Sequence, residues 1–275
     1  MRLFEKLVVF VKKTNIVLSQ NNIMTLESSL ISFYIFVMEN YFNREELILG
    51  KEALEILKGK KVAIFGIGGV GGYALEALVR SGIGNVVLID NDEVSETNIN
   101  RQIIATTSTI GEAKVDVAEK RIKDINPKIN VKKYKCFYLP ENRNEIDFSD
   151  FDYVIDAVDT VSAKIDIISR CNELNIPVIS AMGAGNKIDP TKLVVTDLFK
   201  TNTDPLAKVM RHELRKRKIN KLKVVYSKEE PKEIDESLIL EEEKEKKRVP
   251  GSTAFVPSVM GIIIAFEVVK DLLSL

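Results

Sequence analysis

One stretch limits what this chain can fold into. The apolar run KKVAIF at 60–65 leads straight into Gly66-Ile67-Gly68-Gly69-Val70-Gly71, and a helix-favouring run follows to Arg80. A short buried strand, a glycine turn and a helix in that order make the first half of a βαβ unit. In this G-x-G-x-x-G pattern the glycines allow a tight turn and let phosphates approach the backbone. The helix N-terminus then favours their negative charge. Gly66, Gly68, Gly69 and Gly71 are therefore the nucleotide-binding glycines expected of this chain. Asp90 ends the next apolar run, NVVLID at 85–90, and lies 19 residues after Gly71. A carboxylate there can accept hydrogen bonds from ribose hydroxyls.

The rest of the chain repeats the alternation. Helices are predicted from 43 through 57, and over 73–80, 111–125 and 162–174. Strands are predicted at 130–136, 152–156 and 176–181. Continuous apolar runs separated by helices indicate a parallel sheet covered on both faces. The fold class is α/β: a doubly wound, mostly parallel, Rossmann-like sheet. A C-terminal extension follows, with strands at 192–198 and 222–226, a basic helix at 205–217 and a closing apolar helix at 255–273. The charge-rich stretch 229–248, with EEEKEKKR, reads as a solvated loop. Residues 1–37 lack clean periodicity and are expected to be an extension outside the fold, with Met24 and Met38 as internal candidate starts. Residues 38–275 then form a single domain.

Composition removes several function classes. Forty basic residues balance forty acidic ones, so a nucleic-acid partner must be held by a local patch. Cys136 and Cys171 are far apart and form no C-x-x-C pair, which argues against a thiolate zinc site. With His212 the sole histidine, a Ser-His-Asp triad or a multi-histidine metal site would rest on one residue. The apolar stretches 7–11, 30–38 and 254–266 are too short or too interrupted to span a bilayer. A cytoplasmic protein without a membrane partner is expected, in keeping with unpaired thiols.

The glycine turn and Asp90 serve NAD and ATP equally. Three further features favour ATP. Asn98-Ile99-Asn100-Arg101-Gln102 lies just beyond Asp90, Lys114 opens the next helix, and Asp159 follows the fourth strand in Asp156-Ala157-Val158-Asp159. In open α/β sheets ligands gather at the carboxyl ends of the strands. Cations there neutralise a triphosphate, and a carboxylate there can hold Mg²⁺.

In this order, GxGGVG, LIDxD, NxNRQ, GxxK and DAxD resemble the adenylating domain of the ubiquitin-activating-enzyme superfamily. Its members use ATP and Mg²⁺ to turn a carboxylate into an acyl-adenylate. The resemblance implies Asp90 for ribose, Asn98, Arg101 and Lys114 for phosphates, and Asp159 for the metal. It also implies that Arg44 is supplied across a homodimer, which makes Arg44, Arg101 and Asp159 the expected catalytic set. Cys136, in a predicted strand, and Cys171, in mid-helix, read as small buried hydrophobes, so no thioester relay is expected.

The stretches RSGIGNVVLIDNDEVSETNINRQ, INPKINV, GAGNKIDPTKLVVTDLFKTNTDPLAKVMR, VVYSKEEP and GSTAFVPSVMG are similar to the tRNA threonylcarbamoyladenosine dehydratase family. That resemblance implies adenylation of the threonyl carboxylate on modified tRNA. Attack by the modification's own carbamoyl group then closes a ring, with net loss of water. A sulfur-transfer protein is a further partner to be considered. Arg211, Arg215, Lys216, Arg217 and Lys218 supply a basic surface for RNA phosphates. The competing readings are an adenylating enzyme for a small carrier protein and an NAD-dependent dehydrogenase or NAD-binding module.

Overall fold

The computed structural model describes residues 41–239 and 250–275. The chain divides between Ile48 and Leu49 into two units, and the extension expected over 1–37 lies outside the described residues. Helix α1 (Asn43–Leu49) buries no residue. The helix expected to run through 57 is broken at Gly50, whose φ of 84° is a left-handed value, and α2 (Lys51–Gly59) starts afresh there.

The second unit is built on one seven-stranded sheet. Its strands are β1 (Lys61–Phe65), β2 (Asn85–Ile89), β3 (Asn130–Tyr134), β4 (Tyr153–Asp156), β5 (Val178–Ala181), β6 (Leu193–Asp197) and β7 (Lys223–Ser227). They lie in the order β3-β2-β1-β4-β5-β7-β6. All neighbours are parallel except β6, which runs antiparallel to β7. The mostly parallel doubly wound sheet expected from the sequence is what forms, and the extension adds β7 and β6 to its edge.

Each central strand is buried on both faces, which is why its sequence reads as an unbroken apolar run. Val62 and Ile64 of β1 face one core with α3 (Gly71–Arg80), α4 (Lys114–Ile125) and α7 (Phe255–Leu273). Ala63 and Phe65 face the other, packed on α5 (Val161–Leu174) and on Tyr138 and Phe148. A third cluster joins α5, β7 and α6 (Pro205–Lys216) through Ile168, Met210, Leu214 and Val224. The edge strand β3 is mostly exposed and carries Lys132 and Lys133, charges that discourage edge-to-edge pairing. It ends at Tyr134, so Cys136 lies beyond the strand expected to contain it and is only half-buried.

Two topological facts position the site. The chain winds outward from β1 through β2 to β3, then returns to place β4 on the other side of β1. The carboxyl ends of β1 and β4 therefore open a crevice at the switch point. Backbone pairing continues past both ends: Ala157 N–H donates to Phe65 O at 2.9 Å, and Gly66 N–H to Ile89 O at 2.8 Å. Helix α7 closes the near face by crossing α3 at Gly261, where a methyl group would lie 2.3 Å from Val70 O. Of the stretch 229–248, residues 229–239 hold a single 3-10 turn, Glu236–Leu238, and 240–249 lie outside the described residues. Among the described residues no helix is long and apolar enough to cross a membrane.

The Gly261 contact makes a direct prediction. Gly261→Val forces α7 off α3, and overpacking of this kind costs about 1–3 kcal/mol. The urea midpoint should fall accordingly, and an unchanged midpoint would show that the two helices can separate freely.

Candidate active site

The glycine loop is defined by contacts that exclude side chains. Gly66 has φ of 87°, and a Cβ on it would lie 2.7 Å from Ala157 O. On Gly71 it would lie 1.8 Å from Gly66 O. Helix α3 thus begins directly on the ends of β1 and β4. Its N-terminal residue Val70 offers no capping side chain. Gly72 N–H donates to Gly68 O at 3.0 Å, and the N–H groups of Gly71 and Tyr73, which have no backbone acceptor among the described residues, are left to bind an anion.

Asp90 clasps this loop. Its Oδ2 accepts from Ile67 N–H at 2.6 Å and its Oδ1 from Asp92 N–H at 2.8 Å. Burial pushes its carboxyl above the usual carboxylate range, against the charge of Lys114 and the two backbone donors. Each carboxylate oxygen has a second lone pair, so ribose hydroxyls can still be accepted.

Two adjoining cavities flank the loop after β4 and share Ala157, Val158 and Asp159. The first, about 150 Å³, is walled by Gly66, Gly68, Asp90, Asp92, Cys136 and Phe137. The second, about 120 Å³, is walled by Arg101, Met182, Gly185, Leu206, Pro250 and Pro257. The first has the glycines and acid of a nucleoside site. The second is slightly smaller and carries one guanidinium.

The expected residues divide into those brought to these walls and those held elsewhere. Gly66, Gly68, Gly69, Asp90, Arg101 and Asp159 line the cavities. Arg101 is held by Thr97 O at 2.6 Å and Asn100 Oδ1 at 2.9 Å. Asp159 is exposed and, among the described residues, its carboxylate makes no ion pair or hydrogen bond. Lys114 is buried, and its Nζ donates to Asp92 Oδ2 at 2.7 Å. Asn98 is buried beneath the Arg101 turn, where its Oδ1 accepts from Ser95 N–H at 3.2 Å, and it lines neither cavity. Arg44 is exposed on α1, in the first unit.

Two participants were missed by sequence reasoning. Asp92, the counterion of Lys114, is the second acid of LIDND and sits past the strand end, where alternation gives no signal. Gln102 is 6% exposed and its Oε1 is a buried acceptor without a donor among the described residues. Its amide lies beside the glycine loop, with Nε2 3.9 Å from where a Cβ on Gly68 would be.

A divalent cation fits Asp159. Among the described residues there is no group of three or more His, Cys, Asp or Glu that could hold a metal. Mg²⁺ does not need one, because it is commonly held by one or two carboxylates, with phosphate oxygens and water completing its shell.

The basic helix α6 buries Ala207, Met210 and Leu214 and exposes Arg215 and Lys216, with Arg217 and Lys218 just beyond its end. Arg211 is the exception to the expected surface, being half-buried and bonded to Thr201 Oγ1. Lys216 and Arg217 pair with Glu213 and hold its carboxyl below the usual range. Part of the positive charge read from the sequence is thereby neutralised locally. His212 is exposed.

A model of the ThiF family matches residues 42–275. The tRNA threonylcarbamoyladenosine dehydratase of Bacillus subtilis (strain 168) is 47% identical over 244 residues, 86% of this chain and 96% of that one. Among solved structures, Escherichia coli tRNA N6-threonylcarbamoyladenosine dehydratase in complex with AMP aligns with a TM-score of 0.77 and 34% identity. That alignment covers 86% of this chain and 94% of the other. The same enzyme in complex with ATP aligns with a TM-score of 0.74.

Burial raises both thiols, Cys171 the more strongly, with Glu145 adding to the effect at Cys136. A raised thiol is mostly protonated at neutral pH and therefore a poor nucleophile. Alkylation by iodoacetamide should be slow at pH 7 and accelerate at higher pH. Mass spectrometry should find Cys136 modified first and protected by ATP, with Cys171 unmodified until unfolding. Rapid neutral-pH labelling of Cys171 would contradict its placement.

Proposed function

The chain belongs to the ThiF family and, within it, to the tRNA threonylcarbamoyladenosine dehydratases, and we propose that it dehydrates that nucleoside in tRNA at the expense of ATP. The observation that carries this reading is the pair of cavities meeting at Ala157–Asp159. The glycines and Asp90 of one suit a nucleotide, the guanidinium of the other suits a carboxylate, and Asp159 lines both.

The chemistry follows from that placement. The nucleotide's ribose lies against Asp90 and its phosphates against the N-terminus of α3. The threonyl carboxylate enters from the second cavity, and its oxygen attacks the α-phosphorus as the bond to pyrophosphate breaks. Arg101, at the second cavity and 3.5 Å by its Cγ from where a Cβ on Gly69 would lie, offsets charge that builds on the phosphoryl oxygens. Lys114 can exchange Asp92 for a phosphate. Mg²⁺, held by Asp159, would supply further charge neutralisation of the phosphates. The carbamoyl group then attacks the activated acyl carbon, AMP leaves, and a proton is released. Water is removed formally, its elements ending in AMP and pyrophosphate. The attacking group is already part of the substrate, so its effective concentration is high and no enzyme thiol is needed.

Within the same reading, Arg44 acts across a homodimer, and the exposed cations at the end of α6 meet RNA phosphates. Exposure of Arg44, Arg215, Lys216, Arg217 and Lys218 supports both roles.

Nucleoside analysis of modified tRNA incubated with the protein, ATP and Mg²⁺ tests the function. The cyclic product should appear with one AMP per turnover, and an unchanged nucleoside profile would refute the reading. Pyrophosphate exchange driven by a Gly-Gly-ended protein without RNA would select carrier-protein adenylation instead. Arg101→Ala and Asp159→Ala should each lower kcat by about 10²- to 10³-fold, the usual effect of losing one preorganised charge partner. Both should melt within a few degrees of the parent. Mixing Arg44→Ala with Asp159→Ala chains should restore one working site per dimer; no recovery would assign Arg44 to its own subunit.

A further inference from the structure

Two lysines are almost wholly buried without being part of the reaction described above: Lys164 is 1% exposed and Lys187 2%. Each is paired with a buried aspartate. Lys164 Nζ lies 2.9 Å from Asp156 Oδ2 and donates to Ser180 Oγ at 3.3 Å; Ser180 Oγ in turn donates to Asp156 Oδ2 at 2.5 Å. Lys187 Nζ lies 2.9 Å from Asp204 Oδ2 and donates to Gly183 O at 2.7 Å.

Burying an ion pair is a poor way to gain stability, because desolvation offsets most of the attraction and apolar replacements are often neutral or better. What the two pairs share is location. Asp156 is the last residue of β4, and its Oδ1 accepts from Val158 N–H at 3.4 Å, inside the Ala157–Asp159 loop. Ser180 precedes Ala181 and Met182 on the opposite wall of the second cavity. Lys187 reaches back to Gly183, between Met182 and Ala184 of that wall, and fixes its carbonyl. Asp204 caps α6 by accepting from Ala207 N–H at 2.8 Å, and Leu206 of the same turn also lines the cavity. A Cβ on Gly183 would lie 2.9 Å from Asp204 Oδ2, so that wall has no slack.

We propose that Lys164–Asp156 and Lys187–Asp204 are positioning pairs that set the two walls of the acyl-side cavity. The second pair also ties that cavity to the start of the basic helix. The pairs do not touch substrate. They act through the Ala157–Asp159 and Met182–Gly185 backbones, which hold the acyl group against Asp159 and Arg101. This inference rests on the dehydratase reading for its substrate.

The test uses the full chain, ATP and threonylcarbamoyladenosine-containing tRNA. The neutral double variants Lys164→Met/Asp156→Asn and Lys187→Met/Asp204→Asn remove both charges of a pair and leave no unpaired charge. Asparagine at 204 can still cap α6. Ser180→Ala removes the hydroxyl bonded to both members of the first pair, Gly183→Ala pushes Asp204 Oδ2 aside in the second, and these decide the matter if either double variant fails to fold. Measured quantities are the urea midpoint, the ATP Kd by calorimetry, and kcat and KM for AMP release. The expected result is a fall in kcat of tenfold or more, with ATP Kd within twofold of the parent and cooperative unfolding retained. Parental kcat in the folded variants, or a loss that tracks ATP affinity and stability, would reduce the pairs to structural fillers. Failure of the functional reading looks different, because the parent itself would then release AMP without modified tRNA. The same kcat comparison with the acyl substrate that does support turnover would still judge the pairs.

Discussion

A methyl group on residue 71 would lie 1.8 Å from the carbonyl oxygen of Gly66, and one on Gly66 would lie 2.7 Å from Ala157 O. No side chain fits either gap. Because none is present, α3 begins flush against the ends of β1 and β4, and its free N–H groups face the crevice where the sheet reverses direction. Everything chemical in the molecule is arranged around that contact. Asp90 holds the loop from the β2 side, Arg101 meets it at Gly69, and Ala157–Asp159 closes it from β4. Gly261 repeats the same device one layer out, letting α7 settle on α3 and bring Pro257 to within 3.1 Å of where a Cβ on Gly69 would lie.

Around this rigid turn the charges are held with unequal firmness. Lys164 and Lys187 are locked to their aspartates away from solvent. Lys114 is buried, yet its partner Asp92 is largely exposed, with 56% of its side chain open to water. Water screens the exposed partner of this pair, whereas the Lys114 side chain itself is 7% exposed and lines neither cavity. Asp159 faces the cavities with no partner among the described residues. A nucleotide site needs this gradient: fixed charges behind the backbone that shapes it, and exchangeable ones at its surface.

Much of this was legible in the sequence for physical reasons. Strands buried on both faces must be continuously apolar, so β1, β2 and β4 announced themselves, and the parallel sheet followed. Glycines at fixed spacing after β1 located the turn, and the run after Asp90 carried Arg101 to it. What stayed hidden depends on three-dimensional partners. Nothing local shows that Asn98 Oδ1 accepts from Ser95 N–H or that the residue lines neither cavity. Nothing in PLAKVMRHELRK reveals that Arg211 is tied to Thr201 while Arg215 remains exposed, since both sit at plausible surface positions. Gly50, whose positive φ splits the first helix, looks like any glycine near a helix end. Lys164 and Lys187 carry no sequence signal of the burial that the fold imposes on them.

The thiols complete the argument from the opposite direction. A chain that passed its adenylate to a cysteine would need a thiol near the acyl cavity and an environment that lowers its pKa. Cys171, on α5, is sealed in the core, and Cys136 lines the cavity with Asp90, where burial raises it. Neither lines the cavity that holds Arg101. That cavity is walled instead by Met182, Gly185, Leu206, Pro250 and Pro257 beside Arg101 and Asp159. A cavity that supplies orientation but no thiol suits a substrate that carries its own nucleophile. That links the absence of a placed thiol to the close-fitted walls at Gly183, Gly185 and Pro250: when the enzyme contributes no attacking group, the geometry in which the substrate folds back on itself is its main contribution to the second step.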